Sequence, residues 1–286
     1  MRTLMVLTVG LCSTCAVLAQ TDDERAKAIA NQKTNATAAL VAMDMGEPAH
    51  VETKHLLVYA PKAMEKRVKG IGIQLEKYYD TAAKTLSLKE DAHPGKITVY
   101  LFAEKESLAS FIRRVEKRRP MGVVSGSYLA DDESLHVVAV PGAGKGTVPV
   151  ELRAGEMVAT LLLQRKAGVR TELPEWLTAG FGRATSYRAT TGQKFVADDR
   201  KQQRLLMKKR NAADVWDGKV DAEEAELMQA SVAEMVGYGL GSARLAKFLK
   251  GFEPGENVAV KTTGQAMEAA DLTADQLNKH WKKFVT

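Results

Sequence analysis

Residues 150–188 read VELRAGEMVATLLLQRKAGVRTELPEWLTAGFGRATSYR, and the fold is decided there. Val150, Leu152, Met157, Val158, Leu161, Leu162 and Leu163 cover a first helix with apolar side chains on nearly every side. Such coverage is expected of a helix sandwiched in the interior rather than lying on the surface. Pro174 suits the first turn of a second helix, where its missing N–H costs little. Trp176, Leu177 and Phe181 then recur at helical spacing. A carboxylate, Glu156, sits inside the first helix. Burying it alone is costly, so in an interior helix it must be protonated, paired or beside a water-filled cleft, with Arg153 and Arg183 as candidate partners.

These residues resemble the active-site core of gluzincin zinc peptidases, of the peptidase MA-like type found in secreted bacterial proteins of unknown function. That family carries H-E-x-x-H on the first helix and P-x-W-L-x-E-G-(F/L)-A on the second. Here the corresponding segments are G-E-M-V-A, Gly155 to Ala159, and P-E-W-L-T-A-G-F-G, Pro174 to Gly182. Pro174, Trp176, Leu177, Gly180 and Phe181 match the motif. The two histidine positions hold Gly155 and Ala159, and the third-ligand position holds Ala179. Glu156 stands at the general-base position.

Two side chains at i and i+4 share one face of a helix, so paired histidines there grip one zinc ion. A carboxylate from the next helix completes three ligands and leaves one position for water, which the metal makes nucleophilic. Gly155, Ala159 and Ala179 have no donor atoms. The resemblance therefore implies a degenerate member from which zinc is expected to be lost, with Glu156 vestigial and no cofactor. It also implies that Gly155, Ala159 and Ala179 cluster facing one another.

Working outward, the first 19 residues read as a secretory signal peptide. Arg2 is the positive n-region, Leu4 to Leu18 the apolar run, and Val17-Leu18-Ala19 the cleavage site. The alternative is an uncleaved N-terminal anchor, for which the run is short. Cys12 and Cys15 both lie in this leader, so their C-x-x-C spacing is not read as redox or metal chemistry. The mature chain would hold no cysteine, and it is large enough to do without disulfides. The chain carries a formal +6, and removing Arg2 leaves +5. That is a modest excess, and it does not indicate a nucleic-acid binder. Composition is that of a globular protein, with 45% hydrophobic and 27% charged residues.

Residues 20–48 read as a linker or a frayed helix, with Asn35-Ala36-Thr37 matching a glycosylation acceptor. Residues 49–148 read as an α/β lobe. Strands are expected at Lys54 to Ala60 and Lys96 to Phe102, and a hairpin from Val123 to Val140. The helix Pro61 to Leu88 should turn Val68, Ile71, Leu75, Tyr78, Tyr79, Ala82 and Leu86 inward. Gly70 and Gly72 weaken it by about 1 kcal/mol each, or allow close packing. A second helix runs from Glu104 to Arg118. Residues 149–286 read as helices only. Their closing segment is similar to the family's C-terminal pattern at Trp281, with Ala270 where the family has Gly. The fold class expected is α+β: a small mixed sheet with covering helices, followed by a mostly helical lobe, together one peptidase-like domain.

Other motifs carry less. Pro141-Gly-Ala-Gly-Lys-Gly-Thr147 misses the phosphate-loop pattern, because Ala139 and Gly146 stand where Gly and Ser or Thr are needed. His50, His55, His93, His136 and His280 are scattered, and none has a ligand-type residue at i+4 on a helical face. There is no G-x-S-x-G. Two basic patches, Arg113 to Arg119 and Lys201 to Arg210, lack aromatic residues for base stacking and read as solvated helix faces. The function expected is that of an exported, catalytically inactive metallopeptidase-like protein. It would be periplasmic or extracellular, binding a peptide or protein in the old cleft, with no nucleic acid and no stable membrane span after cleavage. Two alternatives stand beside it: a hydrolase using Glu156 with other partners, and a purely structural envelope protein.

Overall fold

The computed structural model describes residues 22–89, 93, 95–120, 125–131, 135–142, 148–255 and 261–285. The expected leader, both cysteines and residues 132–134 of the expected hairpin turn lie outside them. The fold is mixed α+β, with one five-stranded sheet and many helices.

The chain enters through α1 (Asp22–Ala42), whose first turn carries Asp22, Asp23 and Glu24, the sign that a helix N-terminus favours. This is an ordered helix where a linker was an open reading. Ala36, Ala39 and Leu40 are buried against the sheet. The Gln32 amide bonds both backbone groups of Lys96, Nε2 to O at 2.7 Å and N to Oε1 at 2.9 Å.

The sheet order is β1 (Ala49–Glu52), β2 (Leu56–Ala60), β3 (Ile97–Leu101), β5 (His136–Ala139), β4 (Gly126–Leu129). The three central strands run parallel and the two edges pair antiparallel. Central strands covered on both faces read as continuous apolar runs, and β2, β3 and β5 are buried throughout. Alternate residues serve opposite faces. Leu57, Tyr59, Tyr100, Phe102 and Val138 meet α1 and α3 (Lys105–Arg114), whereas Leu56, Val58, Ile97, Val99 and Val137 belong to the main core.

The helix α2 (Glu65–Leu86) follows a short 3₁₀ turn, Lys62–Met64, and all seven residues expected inward are buried. Its two glycines differ. A Cβ at Gly72 would lie 2.9 Å from Val51 Cγ1, so β1 needs that gap, while Gly70 faces open space. The helix α3 ends earlier than expected.

The regular elements of the remaining described residues are helical: α4 (Val150–Ala167), α5 (Glu175–Ala189), α6 (Lys194–Leu206), α7 (Ala222–Glu234), α8 (Ser242–Lys250), α9 (Thr263–Ala269) and α10 (Ala274–Val285). A 3₁₀ turn at Ala212–Val215 and a π-helical turn at Met235–Gly239 were not expected. At the centre is α4, packed on α2, α5, α8 and the sheet, as its all-round apolar coverage requires. One core runs from the sheet through α2, α4 and α5 to Trp281. Buried Trp281 donates to Ser231 Oγ at 2.7 Å, and Trp176 donates to Thr263 Oγ1 at 3.2 Å. No helix among the described residues is long and apolar enough to cross a membrane.

Candidate functional site

Glu156 is 1% exposed in the middle of α4. Both of its oxygens are taken. Arg153 Nη1 lies 2.7 Å from Oε2, and Arg183 Nη1, from α5, lies 3.1 Å from Oε1. Both partners are those named from the sequence. Arg183 extends the network: its Nη2 meets Asp199 Oδ2 at 2.8 Å, and the Tyr187 hydroxyl donates to the same oxygen at 2.9 Å. The Arg183 guanidinium also sits 5.0 Å from the Phe195 ring centroid.

Burial pushes the Glu156 carboxyl up, against the pull of the Arg153 and Arg183 charges. Arg183 is itself pushed up: burial acts against its charge, but Glu156, Tyr187 and Asp199 outweigh that. A general base needs a free lone pair within hydrogen-bond reach of the proton it takes. In this network the carboxylate serves its two arginines.

The positions around it are packed rather than open. A Cβ on Gly155 would lie 2.6 Å from the ring of Tyr78 in α2, so Gly155 faces α2. Ala159 is fully buried, and Ala179 is exposed on α5. The structure therefore gives the three positions different surroundings: ring-covered, buried and exposed. None offers an N, O or S donor, and an aromatic ring already fills the space in front of Gly155. The residues present do not fit zinc at this place.

The other motif residues are structural. Pro174 directly precedes α5, at φ −66°. Trp176 and Leu177 are buried, and Phe181 stacks on Tyr238 with centroids 5.6 Å apart. A Cβ at Gly180 would run into the Gln229 carbonyl of α7. At Gly182 it would lie 2.7 Å from the Glu156 carbonyl oxygen, so this glycine sets the close approach of α4 and α5. Thr160 Oγ1 ties the same pair, donating to Glu156 O at 2.9 Å or to Thr178 O at 3.0 Å.

The accessible feature lies on the other side of α4. The edge strand β4 crosses that helix so closely that a Cβ at Gly126 would lie 2.7 Å from Met157 Cγ. Beside it opens a cleft of about 780 Å³ between β4, Arg118, Met157 and residues 169–173. Val140 N donates to Ser125 O at 3.0 Å. Antiparallel ladders alternate bonded and non-bonded pairs, so by the register Gly126 and Tyr128 turn their N–H and C=O outward.

Under this edge lies a second buried carboxylate. The Glu116 side chain is fully buried. It accepts Arg118 Nε at 2.5 Å and Ser127 Oγ at 3.2 Å, and it meets His136 Nε2 at 3.1 Å. Arg118 also bonds Ser127 Oγ through Nη2. Burial pushes Glu116 up, but the His136 hydrogen bond and the Arg118 charge outweigh it and hold the carboxyl below its ordinary range. Sequence reading missed this group. Its one signal was strand periodicity: Leu129 pairs with His136, so Ser127 two residues earlier shares that face.

No protein-family model matches this chain, and no curated protein matches it either.

Proposed function

We propose that this is an exported, catalytically inactive relative of gluzincin metallopeptidases that binds an extended peptide, or an extended segment of a protein, along β4. The observation that carries this reading is the juxtaposition on α4. Glu156 is held by two arginines among positions without metal donors, while the outer edge of β4 borders a cleft on Met157. An extended chain added to a free sheet edge gains main-chain hydrogen bonds, and side-chain pockets select its sequence. Gly126 and Tyr128 supply the outward donors and acceptors.

Binding is tested with a pool of fluorescent extended peptides, read by polarisation. Tyr128→Pro removes an outward N–H while leaving the β5 ladder bonded, a change that edge strands tolerate. Tyr128→Ala controls for the lost ring. The expected result is saturable binding by the wild type and by Tyr128→Ala, lost in Tyr128→Pro. Equal binding by all three contradicts the edge-strand mode. Export is tested by N-terminal sequencing of the mature protein, which should begin at Gln20.

A further inference from the structure

The cluster formed by His55, Glu76 and Asp80 lies on the far side of α2 from Tyr78 and Gly155. Helical residues advance about 100° each, so Glu76 and Asp80, two residues before and after Tyr78, point away from it. They stand at i and i+4 and share one face. His55, from the turn between β1 and β2, reaches that face. One donor atom from each of the three residues lies within 4.8 Å of the others.

We infer that His55, Glu76 and Asp80 form a binding site for one divalent transition-metal ion, with zinc the best fit. An imidazole with two carboxylates is a borderline donor set. It suits zinc and its first-row neighbours, whereas magnesium and calcium take oxygen ligands. This site is independent of the peptide cleft and of the positions where the family keeps its zinc.

The donors are oriented in advance. The His55 ring, 4% exposed, stacks on Tyr79 with centroids 4.0 Å apart and planes 9° apart. Glu76 Oε1 accepts Thr53 Oγ1 at 2.5 Å and the His55 backbone N–H at 2.7 Å. Its Oε2 is left facing His55 Nδ1 at 2.7 Å. An entering ion takes the place of the hydrogen between Nδ1 and Oε2, and the ring binds it as a neutral imidazole through Nδ1 with its N–H on Nε2. Asp80 is exposed and supplies both the third ligand and the way in. Outer hydrogen bonds of this kind on Glu76 are what fix ligands in known metal sites, and stacking on Tyr79 fixes the His55 ring.

The test is calorimetric titration of the full chain with zinc after chelator dialysis, alongside thermal melts with and without the metal. One saturable site and a raised Tm are expected, since an ion that binds the native state stabilises it. Asp80→Asn should weaken zinc by more than about tenfold, at least what losing an outer partner costs, while the metal-free Tm stays unchanged. His55→Asn should abolish binding. Three results overturn the inference: no saturable zinc uptake, undiminished zinc affinity in Asp80→Asn, or equal affinity for magnesium.

Discussion

Glu116 and Glu156 are both buried and both ion-paired to arginine, yet their surroundings differ in direction. Glu116 lies under the edge strand. Its guanidinium partner, Arg118, is 41% exposed and leads out to the cleft. Glu156 lies within α4. Its partner Arg183 is 12% exposed and leads to buried Tyr187 and half-buried Asp199. Burial wins at Glu156 and pushes its carboxyl up, while hydrogen bonds and charge win at Glu116 and hold it down. One side of α4 is tied into an ion-pair network, and the other borders an accessible cleft. Glu156, at the position that resembles a general base, is part of the packing, and the accessible cleft lies at the sheet edge.

The comparison is broken most sharply by truncating the inner guanidinium. Arg183→Ala leaves buried Glu156 with Arg153 alone and takes the cation from half-buried Asp199; breaking a buried pair costs about 3–5 kcal/mol. Chemical denaturation should show that loss, and a loss below 1 kcal/mol would mean that water reaches the network. Next, Arg118→Ala should cost about 1–3 kcal/mol, as for a buried group that loses one of its partners, with Ser127 and His136 still holding Glu116. Then comes Gly155→Ala. Ala is the better helix former by about 1 kcal/mol, but the new methyl meets the buried Tyr78 ring, and overpacking costs about 1–3 kcal/mol. The expected net is destabilisation; a stabilised variant would show that the ring can move aside.

The smallest effect is in pH dependence. The folded-state pKa of Glu116 is below its ordinary value of 4.5. A depressed carboxyl contributes stability that is present above its unfolded pKa and lost as pH falls through the folded one. Glu116→Gln should therefore flatten the loss of stability below about pH 4.5 relative to the wild type. An unchanged acid limb would mean that Glu116 titrates alike in the folded and unfolded chain.

Much of the fold was legible where periodicity is strong. The inner face of α2 was readable residue by residue, and the all-round apolar surface of α4 foretold its central place. The partners of Glu156 followed from the cost of an unpaired buried charge. Other features had no local signal. The strand β1 is four residues, AHVE, held by its register with β2, by Val51 against Gly72 and by Glu52 ion pairs to Lys33 and Lys96. The helix α1 is weakly amphipathic, because it docks through alanines and through the clamp of Gln32 on Lys96. Tyr78 could be read as inward, but not that its ring stands in front of Gly155. A histidine placed there by propensity alone would have to displace that ring. His55 with Glu76, and Glu116 with His136, are joined across about 20 residues. Spacing rules that look for partners at i+4 miss such pairs.

The central claim is that the chain holds extended peptide without cutting it, and one measurement addresses both halves. A random-sequence peptide library is incubated with the full chain in the presence of zinc. Retained and free peptides are then analysed by mass spectrometry, with Tyr128→Pro and Glu156→Gln in parallel. The account predicts intact peptides retained by the wild type, none retained by Tyr128→Pro, and no new termini in any sample. Cleavage products that disappear in Glu156→Gln would contradict it, and so would a wild type that retains no peptide.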